Sequence, residues 1–578
     1  MWKLIKKRVS FWAVLLATVF MIIQVIANLS LPKLTADIVN KGITNGDVAL
    51  IQRIGIQMLG ISLISIIAAV GNVFLASRIS QGLGRDLRNE IFTKVTNYSN
   101  DEFDRLGTSS LITRTTNDVV QVQNVMMMML RMMIMAPITL IGASFLAYQR
   151  DHQLTQIFIY VIPVLLIVIG GLMYFAVPLF KRMQKLTDRL NLVFREGLTG
   201  VRVIRAFRRD DFEQKRFDLA NTDFTNNALK VFSIMAGMFP LMTLIMSGTN
   251  IGITWMGANL IANQATETGN MIAFMTYAMQ ILFSFMMLSF VFVFLPRAQA
   301  AADRINEVLN LNTKIKDPKA PKSFAKTQAA LQFDHVDYRY RKAEELALAD
   351  INVAVHAGQT LAIIGGTGSG KSSFVNLIPR FYDVEKGRVL VNGLDVRDVT
   401  KADLRDQVSL VPQKALLFKG NLRENMQYGN AAATDEAIWH ALDIAQASDF
   451  VKETGKGLDM TVEQGGNNFS GGQKQRLAIA RALVKDASIY VFDDSFSALD
   501  FKTDAQLREA LTNDPQMKNK VIVIVGQRVS TVASADEILV LDNGRMAGYG
   551  THEELKTNSP VYQDILASQI REGAAVDE

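Results

Sequence analysis

The sequence predicts an α-helical membrane domain of six transmembrane helices followed by an α/β domain. Three observations carry this. Long apolar runs fill the 578-residue chain up to about Leu311, and short β-branched runs alternate with helical stretches after it. A glycine-rich segment, Gly365 to Ser372, also stands between a strand pattern and a helix pattern. A chain of this length exceeds one hydrophobic core, so two or more domains are expected. Methionine usage marks the division: of 26 methionines, only Met426, Met460, Met517 and Met546 lie beyond Leu311.

Six apolar segments match the roughly 20 helical residues that a hydrocarbon layer requires. They run Phe11–Leu31, Ile54–Ser77, Val125–Tyr148, Ile157–Leu179, Val231–Ile261 and Met271–Leu295. Pro137, Pro163 and Pro240 fall inside spans, where neighbouring helices can satisfy the freed backbone groups. Lys3, Lys6, Lys7 and Arg8 precede the first run, as in a secretory leader. That run is too long for one, lacks a small-residue cleavage site and is followed by five more, so it reads as a membrane span.

Basic residues concentrate at the amino end and in the loops Arg78–Asn124 and Phe180–Lys230. The loops near Lys33–Arg53, Tyr148–Gln156 and Ala262–Asn270 are poorer in Lys and Arg. The positive-inside rule then puts both termini and the two long loops in the cytoplasm of a multi-pass cell-membrane protein. Both loops exceed ordinary connections and are expected to continue the membrane helices. The formal net charge of +6 forms no basic face interleaved with aromatics, which argues against nucleic acid as a partner. The absence of cysteine removes disulfides and thiolate metal sites.

Within the spans, Met126–Met129 with Met132, Met133 and Met135 reads as apolar packing, with an adaptable ligand wall as the alternative. Arg131 is costly in a span and is expected to face a cavity or a partner. Gln24, Asn28 and Asn72 fit either a polar path or helix-to-helix hydrogen bonding.

Lys314–Lys326, with Pro318, Pro321 and several lysines, reads as a solvated linker. The expected organisation is therefore a membrane domain over 1–313, a linker over 314–328 and an α/β domain over 329–578. The strand Thr360–Ile364 leads into GGTGSGKS and then a helix, the context of a P-loop nucleotide-binding domain. Gly365, Gly366, Thr367, Gly368, Ser369 and Gly370 let backbone amides face a phosphate chain. Lys371 reaches the terminal phosphates of a nucleoside triphosphate, Ser372 offers its hydroxyl to Mg²⁺, and Ser373 extends the amino end of the helix. A second strand, Ala487–Phe492, ends in Asp493 and Asp494, which suit the Mg²⁺ shell and the attacking water.

These residues and FSGGQKQR, Phe469 to Arg476, identify a resemblance to the ATP-binding cassette (ABC) family over nearly the whole chain. Gln413 in SLVPQ is similar to the family's Q-loop glutamine, a contact to Mg²⁺ and water, and SALD, Ser497 to Asp500, resembles its D-loop. Tyr340 stands where the family stacks an aromatic ring on adenine. Six spans before the cassette resemble the exporter branch, in which two such chains make a transporter. The resemblance implies that Ser470, Gly471, Gly472 and Gln473 contact ATP held by the partner's cassette. It also implies coupling helices around Asp101–Asp118 and Arg202–Phe212.

Two positions depart from the family. Asp494 stands in place of the catalytic glutamate, and Gln527 in GQRVST in place of the switch histidine. The shorter carboxylate draws back by about one methylene, and catalytic geometry is sensitive to ~1 Å. Glutamine cannot exchange a proton near neutral pH. An impaired own site beside an intact Ser-Gly-Gly-Gln resembles one subunit of the bacterial heterodimeric multidrug exporters. The partner would be a related half-transporter with glutamate and histidine, the surroundings the lipid bilayer, and the cargo a hydrophobic or amphipathic small molecule, drugs included, expelled from the cytoplasmic side. Lipid or peptide cargo, or a nucleotide-gated channel or sensor, are the alternatives.

Overall fold

The computed structural model describes residues 1–324 and 330–574, less the side chains of residues 2, 3, 173, 289–293 and 570–574. The end of the expected linker, 325–328, and the first residue of the expected α/β domain, 329, lie outside the described residues. Two compact units form: Met1–Thr96 with Thr108–Leu311, and Asn97–Gly107 with Asn312–Glu578.

Among the described residues, the first unit has six helices long and apolar enough to cross a membrane. Five are Phe11–Ile43, Val48–Thr96, Thr108–Arg150, His152–Thr199 and Asp210–Ala262, of 33, 49, 43, 48 and 53 residues. The sixth, Thr268–Asn310, has 43 residues. About 20 residues suffice to span, so most of these helices run far beyond the apolar layer, and the long basic loops are largely their continuations. A short helix, Val201–Ala206, turns the chain between the fourth and fifth.

Several polar groups inside this bundle hydrogen-bond from helix to helix, which lipid surroundings favour. Ser65 donates to Asn28 at 2.7 Å, and the Asn72 amide donates to the Ala17 carbonyl at 2.8 Å. Tyr277 donates to the Leu29 carbonyl at 3.1 Å. Beyond the apolar segments, the Arg304 fork grips Asp118 at 2.7 and 2.5 Å, and Arg114 meets Glu307 at 2.9 Å, tying the third helix to the sixth.

The described residues of the second unit form three sheets. An antiparallel sheet holds β1 (Ala330–Tyr338), β2 (Leu348–His356), β4 (Lys386–Val391) and β5 (Leu394–Asp395), in the order β2-β1-β4-β5. The main sheet holds β3 (Thr360–Gly365), β6 (Val408–Val411), β9 (Ile489–Asp493), β10 (Val521–Val525), β11 (Glu537–Asp542) and β12 (Arg545–Gly550). Its order is β12-β11-β3-β10-β9-β6, parallel except for the β11–β12 pair. A two-stranded ribbon joins β7 (Gly420–Asn421) to β8 (Thr461–Val462).

Both faces of the main sheet are covered, which is why its strands read as continuous apolar runs rather than alternating ones. Ile489 and Val491 of β9 enter one core, with Leu361, Ile363, Val521 and Val523. Tyr490 and Phe492 enter another, with Leu477, Ile479 and Ile524. Burying each such side chain contributes about 1.5–3 kcal/mol.

The segment Asn97–Gly107 packs within this second unit, although in sequence it lies between two membrane helices. Its helix, Asn100–Leu106, starts on a capping box in which Ser99 and Glu102 serve each other's backbone N–H. Glu102 also accepts from the Lys314 backbone at 3.2 Å, Asp101 pairs with Lys314 at 2.9 Å, and Tyr382 donates to Asp104 at 3.1 Å.

Candidate nucleotide site

Parallel α/β sheets place ligands at the carboxyl ends of their strands. Here four neighbouring strands deliver one cluster. Lys371 begins the helix that follows β3, and Asp493 ends β9. Gln413 lies two residues beyond β6, and Gln527 two beyond β10. A cavity of about 420 Å³ at this edge is lined by Tyr340, Thr367, Gly368, Lys371, Ser372, Asp494 and their neighbours, including Gly370, Ser373, Gln413, Asp493 and Gln527. Ala347 and Val525 also line it. They carry no chemical signal in the sequence.

The glycine pattern has a local cause at two positions. Gly370 adopts φ +104°, and a Cβ there would lie 2.7 Å from the Ala347 carbonyl. A Cβ on Gly365 would lie 2.1 Å from the Leu541 carbonyl. Gly366 has no such constraint, since a Cβ there meets nothing within 4 Å.

Lys371 is folded onto its own loop, donating to the Gly365 and Gly366 carbonyls at 2.7 Å each and lying 3.5 Å from the buried Ser369 hydroxyl. Burial lowers its pKa, and the charges of Asp494 and Asp493 oppose that shift. Burial pushes the Asp493 carboxyl up, the Ser372 hydroxyl bond pulls it down, and the Asp494 charge adds to the rise. Asp493 Oδ1 is buried without a hydrogen-bond partner among the described residues. An orphaned carboxylate oxygen beside a serine hydroxyl is the hard, oxygen-only donor set that suits Mg²⁺. Tyr340 has an exposed ring whose hydroxyl lies 3.0 Å from Ser373, and it meets Tyr338 and Tyr382 edge-on.

Asp494 is held from both sides. Because β9 sits between β6 and β10, the residue after it is within reach of both neighbours. Its Oδ2 accepts from Gln413 Nε2 at 3.2 Å and from Gln527 Nε2 at 2.7 Å. The residue is buried and takes a positive φ of 48°, a conformation aspartate tolerates better than most side chains.

Ser470, Gly471, Gly472 and Gln473 do not line this cavity; they open the helix Gly471–Leu483. Ser470 Oγ accepts from the Gln473 backbone at 3.3 Å, and Gln473 Oε1 accepts from the Ser470 backbone at 3.0 Å. The signature is thus also a capping box, S-x-x-Q, which its sequence displays. Phe469 is buried in the adjoining core.

Residues 14–285 match the family described as the ABC transporter transmembrane region, and residues 348–497 match the ABC transporter family. An ABC transporter ATP-binding protein of Mycobacterium tuberculosis is 40% identical over 95% of this chain and 94% of its own length. The ATP-dependent lipid A-core flippase of Desulfotalea psychrophila is 30% identical over 93% of each chain. The solved structure of a bacterial Atm1-family ABC exporter with ATP bound superposes with TM-score 0.78 at 23% identity, covering 97% of this chain and 99% of the other.

Proposed function

The chain belongs to the ABC transporter family, and from that premise we propose that it is one subunit of a heterodimeric multidrug exporter whose own ATP site is degenerate. It is a multi-pass membrane protein with the ABC exporter fold, and an ATPase coupled to transport. The heterodimer is the reading that goes further.

The observation that supports it is the state of Asp494. The position that would activate water carries the shorter carboxylate, and its Oδ2 already accepts two amide hydrogen bonds. Gln527, one of the donors, occupies the place of a residue that would exchange protons. Neutral amides hold such a carboxylate in place without taking up a proton. The signature segment Ser470–Gln473 keeps its full capping geometry, so this chain can complete a partner's site while contributing little hydrolysis of its own. Ser372, Gln413 and Asp493 would hold Mg²⁺, which would neutralise phosphate charge there. Tyr340, the 365–373 loop and Lys371 would hold ATP. Both termini and the nucleotide-binding domain would face the cytoplasm of a bacterial cell.

The test is purification alone and with the partner subunit. The expected result is weak ATP turnover by the chain alone and substrate-stimulated turnover and transport by the pair. Full stimulated turnover and transport by the chain alone would overturn the heterodimer reading. Lipid cargo is a second reading, favoured by the similarity to the lipid A-core flippase. Vesicle assays with labelled lipid and with an amphipathic dye separate the two.

A further inference from the structure

A cavity of about 530 Å³ lies among the first, second, third and sixth membrane helices. Six methionines line it, together with Arg131, Arg297, Gln24 and Asn72, and its lining contains no Asp or Glu. We infer that this cavity receives an amphipathic organic anion, with the anionic group held by Arg131 and Arg297 and the apolar body against the methionines. The inference rests on the exporter reading above and names the class of its cargo.

Three other arginines of this unit have carboxylate partners. Arg304 pairs with Asp118, Arg114 with Glu307, and Arg8 with Glu90. Arg131 and Arg297 make no hydrogen bond or ion pair among the described residues and face a cavity without a counter-charge. An unpaired guanidinium within an apolar span is costly and persists where a ligand or water takes its donors. Its planar fork matches carboxylate, sulfonate and phosphate oxygens. Arg131 also sits on a π-helical turn, Met129–Met133, between two α-helical stretches. Such turns are frequent at functional sites.

The remaining wall fits the other half of the ligand. Met21, Met128, Met132, Met135 and Met287 give a flexible, polarizable surface that adapts to varied apolar shapes. Asn72 is 1% exposed; its amide nitrogen is engaged by Ala17, and its Oδ1 has no partner among the described residues. That oxygen offers an acceptor to a hydroxyl or N–H on the cargo. Two cations and no acid make the cavity unfavourable for lipophilic cations, so it discriminates by charge.

The anionic group could belong to a soluble amphiphile or to a lipid headgroup, and the experiment separates them. The full chain in phosphatidylcholine nanodiscs is titrated with dansyl-undecanoic acid and with its uncharged methyl ester. The acid is expected to bind about tenfold more tightly than the ester, as expected for one charge-assisted contact. Arg131→Gln with Arg297→Gln should abolish that preference. Arg131→Lys, which keeps the charge and loses the fork, should retain part of it, and it reports if the glutamine variants fail to fold. Equal binding of acid and ester by the wild type, or a preference that survives in the double variant, overturns the inference. A second arm measures enrichment of labelled phosphatidylglycerol over labelled phosphatidylcholine at the protein. Arginine-dependent enrichment assigns the anion to a lipid; acid binding without enrichment assigns it to a soluble amphiphile. If the charge preference holds while the assembled complex moves no amphiphile across vesicles, the exporter cargo reading fails and the anion site stands.

Discussion

Asp494→Glu combined with Gln527→His is expected to restore hydrolytic power to this chain's own nucleotide site. In the wild-type fold Asp494 Oδ2 is buried and accepts amide hydrogen bonds at 2.7 Å from Gln527 and 3.2 Å from Gln413. A hydrogen bond to a charged group contributes about 1.5–3 kcal/mol. Each ~1.4 kcal/mol on a barrier is a factor of ten in rate. A water that must displace the shorter bond before it can be activated therefore loses roughly 10- to 100-fold. Replacing Gln527 removes that bond, and the longer side chain advances the carboxylate by about 1.5 Å, one carbon–carbon bond. A shift of ~1 Å at a reacting group can by itself change rates by about 10²-fold. Each single change should speed hydrolysis by roughly 10- to 100-fold, and the double variant should exceed either single one, at on the order of 10²-fold or more over wild type. The assay is phosphate release from the proposed heterodimer with the catalytic carboxylate expected in its partner neutralised, so that only this site reports. Equal rates for wild type and double variant would refute the reasoning.

At the phosphate loop, Gly370→Ala should cost about 1–3 kcal/mol through its positive φ and the clash with the Ala347 carbonyl, weakening fluorescent-ATP binding roughly 5- to 150-fold. Gly366→Ala, which meets nothing, should bind within a few-fold of wild type. Asp493→Asn should bind ATP equally with and without Mg²⁺. In the wild type, burial raises the Asp493 pKa, so protonation of this proposed Mg²⁺ ligand sets in as pH falls, beginning above the ordinary aspartate value near ~3.9. The Mg²⁺-dependent part of the affinity should therefore be lost on acidification in the wild type and be absent at every pH in the variant. Tyr382→Phe removes the 3.1 Å hydrogen bond to Asp104 and should cost about 0.5–1.5 kcal/mol. Nucleotide affinity should stay within a few-fold while substrate stimulation of ATP turnover falls; unchanged stimulation would show that this contact carries no coupling.

Much of the site was legible because its chemistry is local. GGTGSGKS follows a strand, and the physical needs of a phosphate loop act over eight adjacent residues. The capping box at Ser470 and Gln473 is likewise written in four residues. The convergence of Gln413 and Gln527 on Asp494 is different: these residues are 81 and 33 positions apart from it. Only the strand order, with β9 between β6 and β10, brings them together. Arg297 drew no notice because it falls just past an apolar run; its place beside Arg131 depends on how the third and sixth helices pack.

The sequence by itself determined the six spans, the parallel α/β character and the identity of the phosphate loop, because hydrophobic length, strand pattern and glycine spacing are properties of neighbouring residues. The tertiary structure decided which polar groups meet. It fastened Asp494 between two amides, brought Asn97–Gly107 into the second unit and left two arginines without counter-ions among the described residues in one cavity. The physical reason is that apolar burial is non-directional and can be read from composition along the chain, whereas a hydrogen bond or ion pair requires two groups within about 3 Å. That proximity is fixed by the packing of distant elements.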